Sequence, residues 1–264
     1  MILPELHSAP WVRFFGTRLT PFSASELALR IEHGRGDRER ATLIGTHNLH
    51  SLALLHGDRD MRAFYAACDH CYVDGVPVLW LLRALGAGAG ARRFTLMDTL
   101  PLLLDAAAAQ GWHLGYLGGT PEVVTRARAW LSAHWPGLAV TLVHGYQRRD
   151  ETAVDALRAA APDVLLVGMG SPRQERWILD HRGALPGTVM LQAGGTLDYY
   201  VGAQPRPPAA LSRRGLGGLY RLLRDPRRLG RRYLIEPWSL AGPLGRLIAD
   251  RLRAKAQHGN GDAR

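Results

Sequence analysis

Short apolar runs recur along the chain, and each is followed by a turn and then by a stretch with helical periodicity. Near-continuous apolar runs are typical of strands buried on both faces, and their alternation with helical patterns predicts repeated β-α units. The predicted strands lie within residues 41–48, 70–75, 112–119, 138–145, 162–170 and 188–195. The predicted helices cover about 49–66, 76–87, 98–110, 121–135, 150–160 and 172–182. We therefore expect an α/β, Rossmann-like, mostly parallel sheet with helices on both faces.

The stretch 120–135 carries the clearest helix signal. Thr120 is a natural N-cap, Pro121 suits the first helical position, and Glu122 complements the helix dipole. This signal places the end of one strand and the start of the next helix within a few residues.

The amino-acid composition of the chain changes after Pro205. Residues 205–264 contain 14 Lys or Arg and four acidic residues, whereas residues 1–204 contain 19 of each sign, so the net charge of +10 resides in the C-terminal part. This division predicts a main domain over 1–204 and a basic, helical C-terminal appendage over 205–264.

Both the charge of the appendage and its amphipathic stretch have more than one interpretation. Its charge can attract nucleic acid, anionic lipid or a polyphosphate substrate, or it can be a solvated arginine-rich surface. The amphipathic stretch 239–256 can lie on a membrane surface or pack against the main domain. The sequence does not decide between the alternatives in either case.

Cysteine content and the N-terminal sequence favour the cytoplasm. Cys68 and Cys71 are the two cysteines, so a disulfide framework is not expected. The N-terminus lacks the pattern of a signal peptide, and no window reaches about 18 uncharged apolar residues. We expect a protein that is neither secreted nor membrane-spanning.

Polar residues and glycines follow most of the predicted strands. Carboxyl ends of parallel strands meet at one edge of a sheet, where ligands of such folds bind, and glycine turns let backbone N–H groups approach a phosphate or a sugar. The residues at these ends are Thr46, Asn48, Asp74, Gly75, Gly118, Gly119, Thr120, Gly168, Gly170, Gln174, Glu175, Gly194, Gly195 and Asp198. A tight turn alone also needs glycine, so it is the repetition of such residues along one edge that indicates a ligand site.

An ordered set of short motifs runs along the chain. The motifs are T-x-N, the strand-end Asp74-Gly75, the Arg93 to Asp98 segment, YLGG, G-x-G-x-P-R-Q-E, GG-x-x-D, R-x-P and YRLLRDPRR. In these motifs the sequence resembles the WecG/TagA/CpsF glycosyltransferases, known as glycosyltransferase family 26, along nearly its whole length. The family pattern has Gly where this chain has Leu96, so Arg92 and Arg93 are alternatives for the functional arginine, and Arg93 is the prediction.

The resemblance implies a Rossmann-like core of the GT-E type and an inverting glycosyltransferase that needs no metal and no cofactor. The implied partners are a UDP-sugar donor, a polyprenyl-diphosphate-linked acceptor and the anionic inner face of a bacterial plasma membrane. The implied donor is UDP-ManNAc, UDP-ManNAc uronate or UDP-glucose, and the product would enter a surface polysaccharide or exopolysaccharide. Nucleic acid is not an expected partner, and association into a homo-oligomer is left open.

The site residues follow from the same resemblance together with their chemistry. An inverting displacement needs a base for the acceptor hydroxyl, and Asp74 is the predicted base. The other predicted catalytic residues are Thr46, Asn48, Arg93 and Gln174, the last as an amide donor to a sugar or phosphate oxygen. The predicted substrate-binding residues are Gly118, Gly119, Gly168, Gly170, Pro172, Glu175, Gly194, Gly195, Asp198, Arg221, Arg228 and Arg231. The three arginines are expected to meet the charge of the diphosphate.

Two patterns could suggest a metal site, and neither is convincing. Asp58 and Asp60 form a D-x-D that follows a helical pattern rather than an apolar strand, which indicates a solvated loop. Cys68 and Cys71 form a C-x-x-C motif. The chain has no second pair of cysteines, whereas a zinc site usually needs four ligands in two such pairs.

Two rival functions make different predictions. A nucleotide-sugar oxidoreductase or epimerase would carry G-x-G-x-x-G after its first strand, where this chain has GTHNLH. A nucleic-acid-binding protein would interleave exposed aromatic residues with its basic tail, which contains Tyr220, Tyr233 and Trp238.

Overall fold

The structure is a computed structural model that describes residues 12–14, 17–20, 23–84, 92–147, 149–246, 248, 249 and 253. The strands are β1 (Val12–Phe14), β2 (Thr17–Leu19), β3 (Thr42–His47), β4 (His70–Val73), β5 (Leu114–Gly118), β6 (Val140–Val143), β7 (Val164–Gly168) and β8 (Val189–Gln192). The α-helices before residue 205 are α1 (Ala24–Gly34), α2 (Leu49–Gly57), α3 (Arg59–Ala67), α4 (Val76–Ala84), α5 (Leu96–Gln110), α6 (Pro121–His134), α7 (Asp150–Ala160), α8 (Arg173–His181) and α9 (Thr196–Tyr200).

A six-stranded, all-parallel sheet forms the centre of the molecule. Its strand order is β4-β3-β8-β7-β5-β6, so β8 lies between β3 and β7. Strands β1 and β2 form a separate antiparallel pair. Each of the six predicted strands is present, and the expected Rossmann-like α/β architecture is confirmed.

Hydrophobic cores lie on both faces of this sheet. One contains residues of α2, α3, α4, α7 and α8, including Phe64 and Trp177. The other contains residues of α1, α5, α6 and α9, including Leu104 and Trp112. Near-continuous apolar strands are what a sheet covered on both faces requires, so the carboxyl edge is left as the natural place for a site.

Side-chain caps define where several helices begin. The Thr120 hydroxyl accepts the Val123 N–H at 3.3 Å, which confirms the predicted start of α6. The predicted helix over 49–66 is interrupted, because Asp58 ends α2 and its carboxylate accepts the N–H groups that open α3. The predicted helix over 76–87 is seen to Ala84, and residues 85–87 lie outside the described part.

The C-terminal segment continues as short helical pieces. They are α10 (Ala209–Arg213), α11 (Gly217–Arg224), α12 (Pro226–Gly230), a π-helical turn (Arg231–Ile235) and a 3₁₀ segment (Glu236–Leu240). Leu229 and Leu240 are buried, and Leu240 belongs to the core that contains α2.

The start of the predicted amphipathic stretch therefore packs against the core that contains α2. Its residues 247, 250–252 and 254–256 lie outside the described part. The division at residue 205 remains a prediction about domain organisation. No helix in the described part of the chain is long and apolar enough to cross a membrane.

Candidate active site

A cavity of about 420 Å³ opens at the carboxyl edge of the sheet. Strand ends form its floor, and the C-terminal segment forms one wall. The predicted residues that line it are Thr46, Asn48, Asp74, Arg93, Gly119, Gly168, Gly170, Gln174, Gly194, Gly195, Asp198 and Arg221. The sheet order explains this convergence, since β3, β4, β7 and β8 end at the same edge.

Asp74 follows β4 at the floor of the cavity. Its backbone N–H donates to the carbonyl of His47 at 2.8 Å, which fixes the turn against the end of β3. Burial raises the pKa of the Asp74 carboxyl, while the charges of Arg221 and Arg93 and a hydrogen bond from Thr95 act in the opposite direction. The net effect is a pKa above the usual value for a carboxyl, in a cavity that Arg93 and Arg221 also line, which suits a general base.

Thr46 and Asn48 flank the end of β3. The Thr46 N–H donates to the side-chain oxygen of Gln192 at 2.6 Å, and the Tyr65 hydroxyl donates to the Thr46 carbonyl at 2.7 Å. The Asn48 side-chain oxygen accepts the Ser51 N–H at 3.0 Å and caps α2. These contacts hold the Thr46 backbone and the Asn48 side chain at the edge of the cavity.

Arg93 lines the cavity, whereas its neighbour Arg92 is exposed and is not among the lining residues. The Arg93 guanidinium pairs with the Asp98 carboxylate at 2.6 Å. This placement favours Arg93 over Arg92 as the arginine that contacts a bound substrate.

A buried hydrogen-bond network of Ser171, Gln174, Glu175 and Gln192 lies beneath the floor of the cavity. Glu175 is fully buried and accepts the Ser171 hydroxyl at 2.6 Å, the Gln174 amide at 3.0 Å and the Gln192 amide. Burial raises the pKa of Glu175, and these hydrogen bonds lower it. Glu175 therefore does not line the cavity itself but holds the residues that do.

The side-chain amide of Gln174 makes its hydrogen bonds within this network. Its nitrogen donates to Ser171 at 3.2 Å and to Glu175, and its oxygen accepts the Gly194 N–H at 3.2 Å. The sequence predicted an amide donor to a ligand, but both N–H bonds are used internally. What remains for a ligand is the second lone pair of the oxygen.

Glycine is required where three strand ends approach one another. A Cβ on Gly168 would lie 2.5 Å from the carbonyl oxygen of Gly194, and a Cβ on Gly118 would overlap the carbonyl of Gly168. Gly118 and Pro172 do not line the cavity. They shape the turns that carry the lining residues.

The C-terminal arginines differ from the predicted set. Arg221 on α11 lines the cavity, and so does Arg232, which the sequence interpretation did not include. Arg231 is exposed and is not among the lining residues. The side chain of Arg228 lies outside the described part of the chain. The helical period carries no signal for Arg232, because α11 ends at Arg224 and α12 and a π-helical turn follow it.

Sequence reasoning also missed other lining residues, which come from a loop, from helix starts and from within short helical pieces. His50, Tyr146, Arg173, Tyr199 and Tyr233 belong to this group. Tyr146 follows β6 and is 66% exposed, with the Arg173 guanidinium 5.8 Å from the centre of its ring. An aromatic ring at the rim of a cavity offers a flat surface for a base or a sugar, and its position directly after a predicted strand was the available signal.

The two suspected metal patterns have structural uses. Asp58 caps α3 through hydrogen bonds to the N–H groups of Asp60 and Met61, and Asp60 pairs with Arg176 at 2.6 Å. Cys68 and Cys71 are free cysteines in the described structure. Within the described ranges, no group of three His, Cys, Asp or Glu side chains could hold a metal ion.

Comparison with known families agrees with this geometry. Residues 12–256 match the model of the glycosyl transferase WecG/TagA/CpsF family. The match spans the sheet, the strand-end residues and the C-terminal segment that closes the cavity. Membership implies transfer of a sugar in cell-envelope polysaccharide synthesis. The chain belongs to the WecG/TagA/CpsF family of glycosyltransferases.

Proposed function

We propose that this glycosyltransferase moves a sugar, with inversion at the anomeric carbon, from a UDP donor to a polyprenyl-diphosphate-linked acceptor. The observation that carries the proposal is Asp74, a carboxylate that lines the cavity together with Arg93 and Arg221. A base and cations around one cavity match the two needs of such a displacement, which are removal of a proton and neutralisation of a leaving diphosphate.

In the proposed reaction, Asp74 accepts the proton of the acceptor hydroxyl. The hydroxyl oxygen forms a bond to the anomeric carbon from one side as the bond to the UDP oxygen breaks on the other. UDP leaves with the electron pair of that bond and gains negative charge. Arg221 lines the same cavity as Asp74 and can meet this charge.

Glycine turns supply the rest of the donor site in this proposal. The lining glycines, including Gly168, Gly170, Gly194 and Gly195, allow close approach of a ligand to backbone N–H groups. Asp198 stands at the start of α9 beside these turns and is placed to accept hydroxyl hydrogen bonds from the donor. Arginines take the part that a metal plays in other transferases, in keeping with the structural uses found for Asp58 and Asp60.

The resemblance to the family narrows the substrates to UDP-ManNAc, UDP-ManNAc uronate or UDP-glucose as donor. The C-terminal segment fits a location on the inner face of the plasma membrane, because it combines positive charge with exposed apolar side chains. These side chains are Leu216, Leu219, Leu223, Leu234, Ile235 and Trp238.

A donor screen tests the proposal. Purified protein is incubated with each UDP-sugar and a synthetic lipid-diphosphate-linked sugar, with and without EDTA, and the product is examined by mass spectrometry and by NMR of the new anomeric centre. We expect transfer from one UDP-sugar, inversion of configuration and full activity in EDTA. Retention of configuration, or loss of activity in EDTA that Mn²⁺ or Mg²⁺ restores, would contradict the mechanism.

A further inference from the structure

A buried side chain connects the ends of β3 and β8 at the cavity. The backbones of the two strands pair up to Ile44 and Leu191, and β3 then continues to His47. Beyond that pair, the Thr46 N–H donates to the side-chain oxygen of Gln192, the last residue of β8, at 2.6 Å. The Gln192 side chain therefore extends the contact between the strands to the point where both of them line the cavity.

A buried carboxylate fixes the orientation of the Gln192 amide. The amide nitrogen donates to Glu175, which is fully buried and accepts two further hydrogen bonds on the same oxygen, from Ser171 and Gln174. Because this oxygen acts as an acceptor, the amide must turn its nitrogen toward Glu175 and its oxygen toward Thr46. Glu175 thus determines which end of the Gln192 amide meets the backbone of β3.

Tyr65 holds the other backbone group of Thr46. Its hydroxyl donates to the Thr46 carbonyl at 2.7 Å, and its ring stacks on His47. The Gln192 nitrogen lies 3.5 Å from the same hydroxyl. Thr46 is therefore fixed through its N–H by Gln192 and through its carbonyl by Tyr65, and removal of Gln192 weakens both contacts.

The part of β3 that Gln192 fixes also supports the turn of the proposed base. Thr46 pairs with Tyr72 on β4, and the Asp74 N–H donates to the carbonyl of His47 at 2.8 Å. Thr46 and Asp74 both line the cavity. A shift of the β3 end would move both residues, and a displacement of about 1 Å can lower a rate about a hundredfold.

We propose that Gln192 is a positioning residue, whose amide connects Glu175 to the backbone of Thr46 and thereby places Thr46 and Asp74 for the attack of the acceptor. This inference rests on the proposed function and deepens it. Both ends of the Gln192 amide bond to protein groups. Gln192 therefore acts through Thr46 and not by binding the donor.

The test compares the full-length wild type with Gln192→Leu and with a control, Thr188→Val. Thr188 precedes β8 at the other end of the strand, is 2% exposed and donates through its hydroxyl to the Pro162 carbonyl at 2.9 Å. The control therefore removes a buried hydrogen bond that is remote from the cavity. For each protein, kcat is measured with the UDP-sugar that the wild type uses, UDP affinity by calorimetry and stability by urea unfolding.

The two variants should differ in kcat although both lose stability. We expect Gln192→Leu to lower kcat about tenfold to a hundredfold, because the Thr46 N–H loses its acceptor and the β3 end is free to shift. Its UDP affinity should stay close to that of the wild type. Thr188→Val should keep the wild-type kcat and the wild-type UDP affinity.

Gln192→Glu adds a pH readout that a merely structural role would not produce. When the new carboxyl is protonated, it can donate to Glu175 and accept the Thr46 N–H, as the amide does. When it is ionised, it faces Glu175 with a like charge. The kcat of this variant, divided by the wild-type kcat at the same pH, should therefore fall as the pH rises.

Other titrating groups do not produce this change in the ratio. Asp74 titrates in both proteins, so its ionisation cancels in the ratio. Burial raises the pKa values of three neighbouring groups well above their ordinary range and lowers that of a fourth to about 3, so these four stay neutral near neutral pH. They are Tyr65, Cys68, Cys71 and, with the lowered value, His47.

The outcomes separate this inference from the proposed function. A folded Gln192→Leu with the wild-type kcat overturns the inference and leaves the transferase proposal standing. A loss of UDP affinity as large as the loss of kcat would make Gln192 a donor contact and also overturns it, as does a ratio for Gln192→Glu that does not change with pH. If Gln192→Leu does not fold, that ratio alone decides. A wild type that transfers no sugar overturns the proposed function and the inference together.

Discussion

Asp74 and Arg221 are far apart in the sequence, yet they line one cavity and the positive charge of Arg221 lowers the pKa of the Asp74 carboxyl. Asp74 belongs to the strand-end turn after β4, and Arg221 belongs to α11 of the C-terminal segment. The pKa of the proposed base therefore depends on a part of the chain that lies outside the alternating strands and helices of the sheet.

Replacing Arg221 should move the pH dependence of the reaction. Burial raises the pKa of Asp74, and Arg221 opposes that rise, so Arg221→Gln raises the pKa further. Because the base must be ionised, the acidic limb of the kcat/KM profile should shift to higher pH, and the plateau should fall about tenfold or more through the lost charged contact. Arg227→Gln, an exposed control, should leave the limb in place. An unshifted limb in Arg221→Gln would show that Asp74 is not the titrating group.

A second prediction concerns stability. His47 is fully buried and stacks on Tyr65 with ring centres 4.0 Å apart, and burial lowers its pKa to about 3. Between about pH 6.5, the usual value for histidine in an unfolded chain, and about pH 3, the unfolded state holds a proton that the folded state excludes. The free energy of unfolding should therefore fall as the pH drops through this window.

Urea unfolding of wild type and His47→Gln at pH 7 and pH 5 measures this contribution. The variant should be less stable at pH 7 but lose less stability on acidification. His134→Gln, which removes an exposed histidine of α6, is the control and should follow the wild type. Equal losses in wild type and His47→Gln would show that His47 accepts a proton in the folded state.

The sheet and the floor of the cavity were predictable because they depend on local patterns. Apolar runs locate strands, and the residues after them, such as Thr46, Asp74 and Gly194, must meet at one edge of a parallel sheet. The antiparallel pair β1–β2 was missed because three-residue strands carry too little pattern. The strand order was not predicted either, since it depends on packing between distant segments.

The wall of the cavity was harder to predict for a different reason. The predicted arginines Arg221, Arg228 and Arg231 would share one helical face only if the helix continued past Pro226, but α11 ends at Arg224, α12 spans Pro226–Gly230 and a π-helical turn follows. The face that reaches the cavity then includes Arg232 rather than Arg231. Where such a segment packs depends on tertiary contacts, here the burial of Leu229 and Leu240, which the helical period does not reveal.

Membrane association should depend on the exposed apolar residues of the C-terminal segment. Leu234, Ile235 and Trp238 are 62%, 63% and 78% exposed. Inserting a large apolar side chain into lipid gains about 1.5–3 kcal/mol when burial is complete. The triple replacement by serine should therefore weaken binding to anionic phospholipid vesicles at least about tenfold, while turnover on a short-chain, water-soluble acceptor is retained.

The control for this experiment is Leu102→Ser. Leu102 is 54% exposed and belongs to α5, whose buried residues lie in the core on the other face of the sheet from Leu240. Vesicle sedimentation should show wild-type binding for this control. Unchanged binding of the triple variant would assign membrane association to another surface.

The most direct test of the proposed mechanism is the rate of sugar transfer by Asp74→Asn, measured with the UDP-sugar and acceptor that the wild type uses. UDP binding is measured by calorimetry on the same preparation. The amide keeps the shape of the carboxylate but cannot take the proton of the acceptor hydroxyl. We predict a loss of about a hundredfold or more in kcat, the scale of a positioned base, with UDP affinity close to that of the wild type. Transfer at the wild-type rate by a folded Asp74→Asn protein would contradict the central claim that Asp74 is the base.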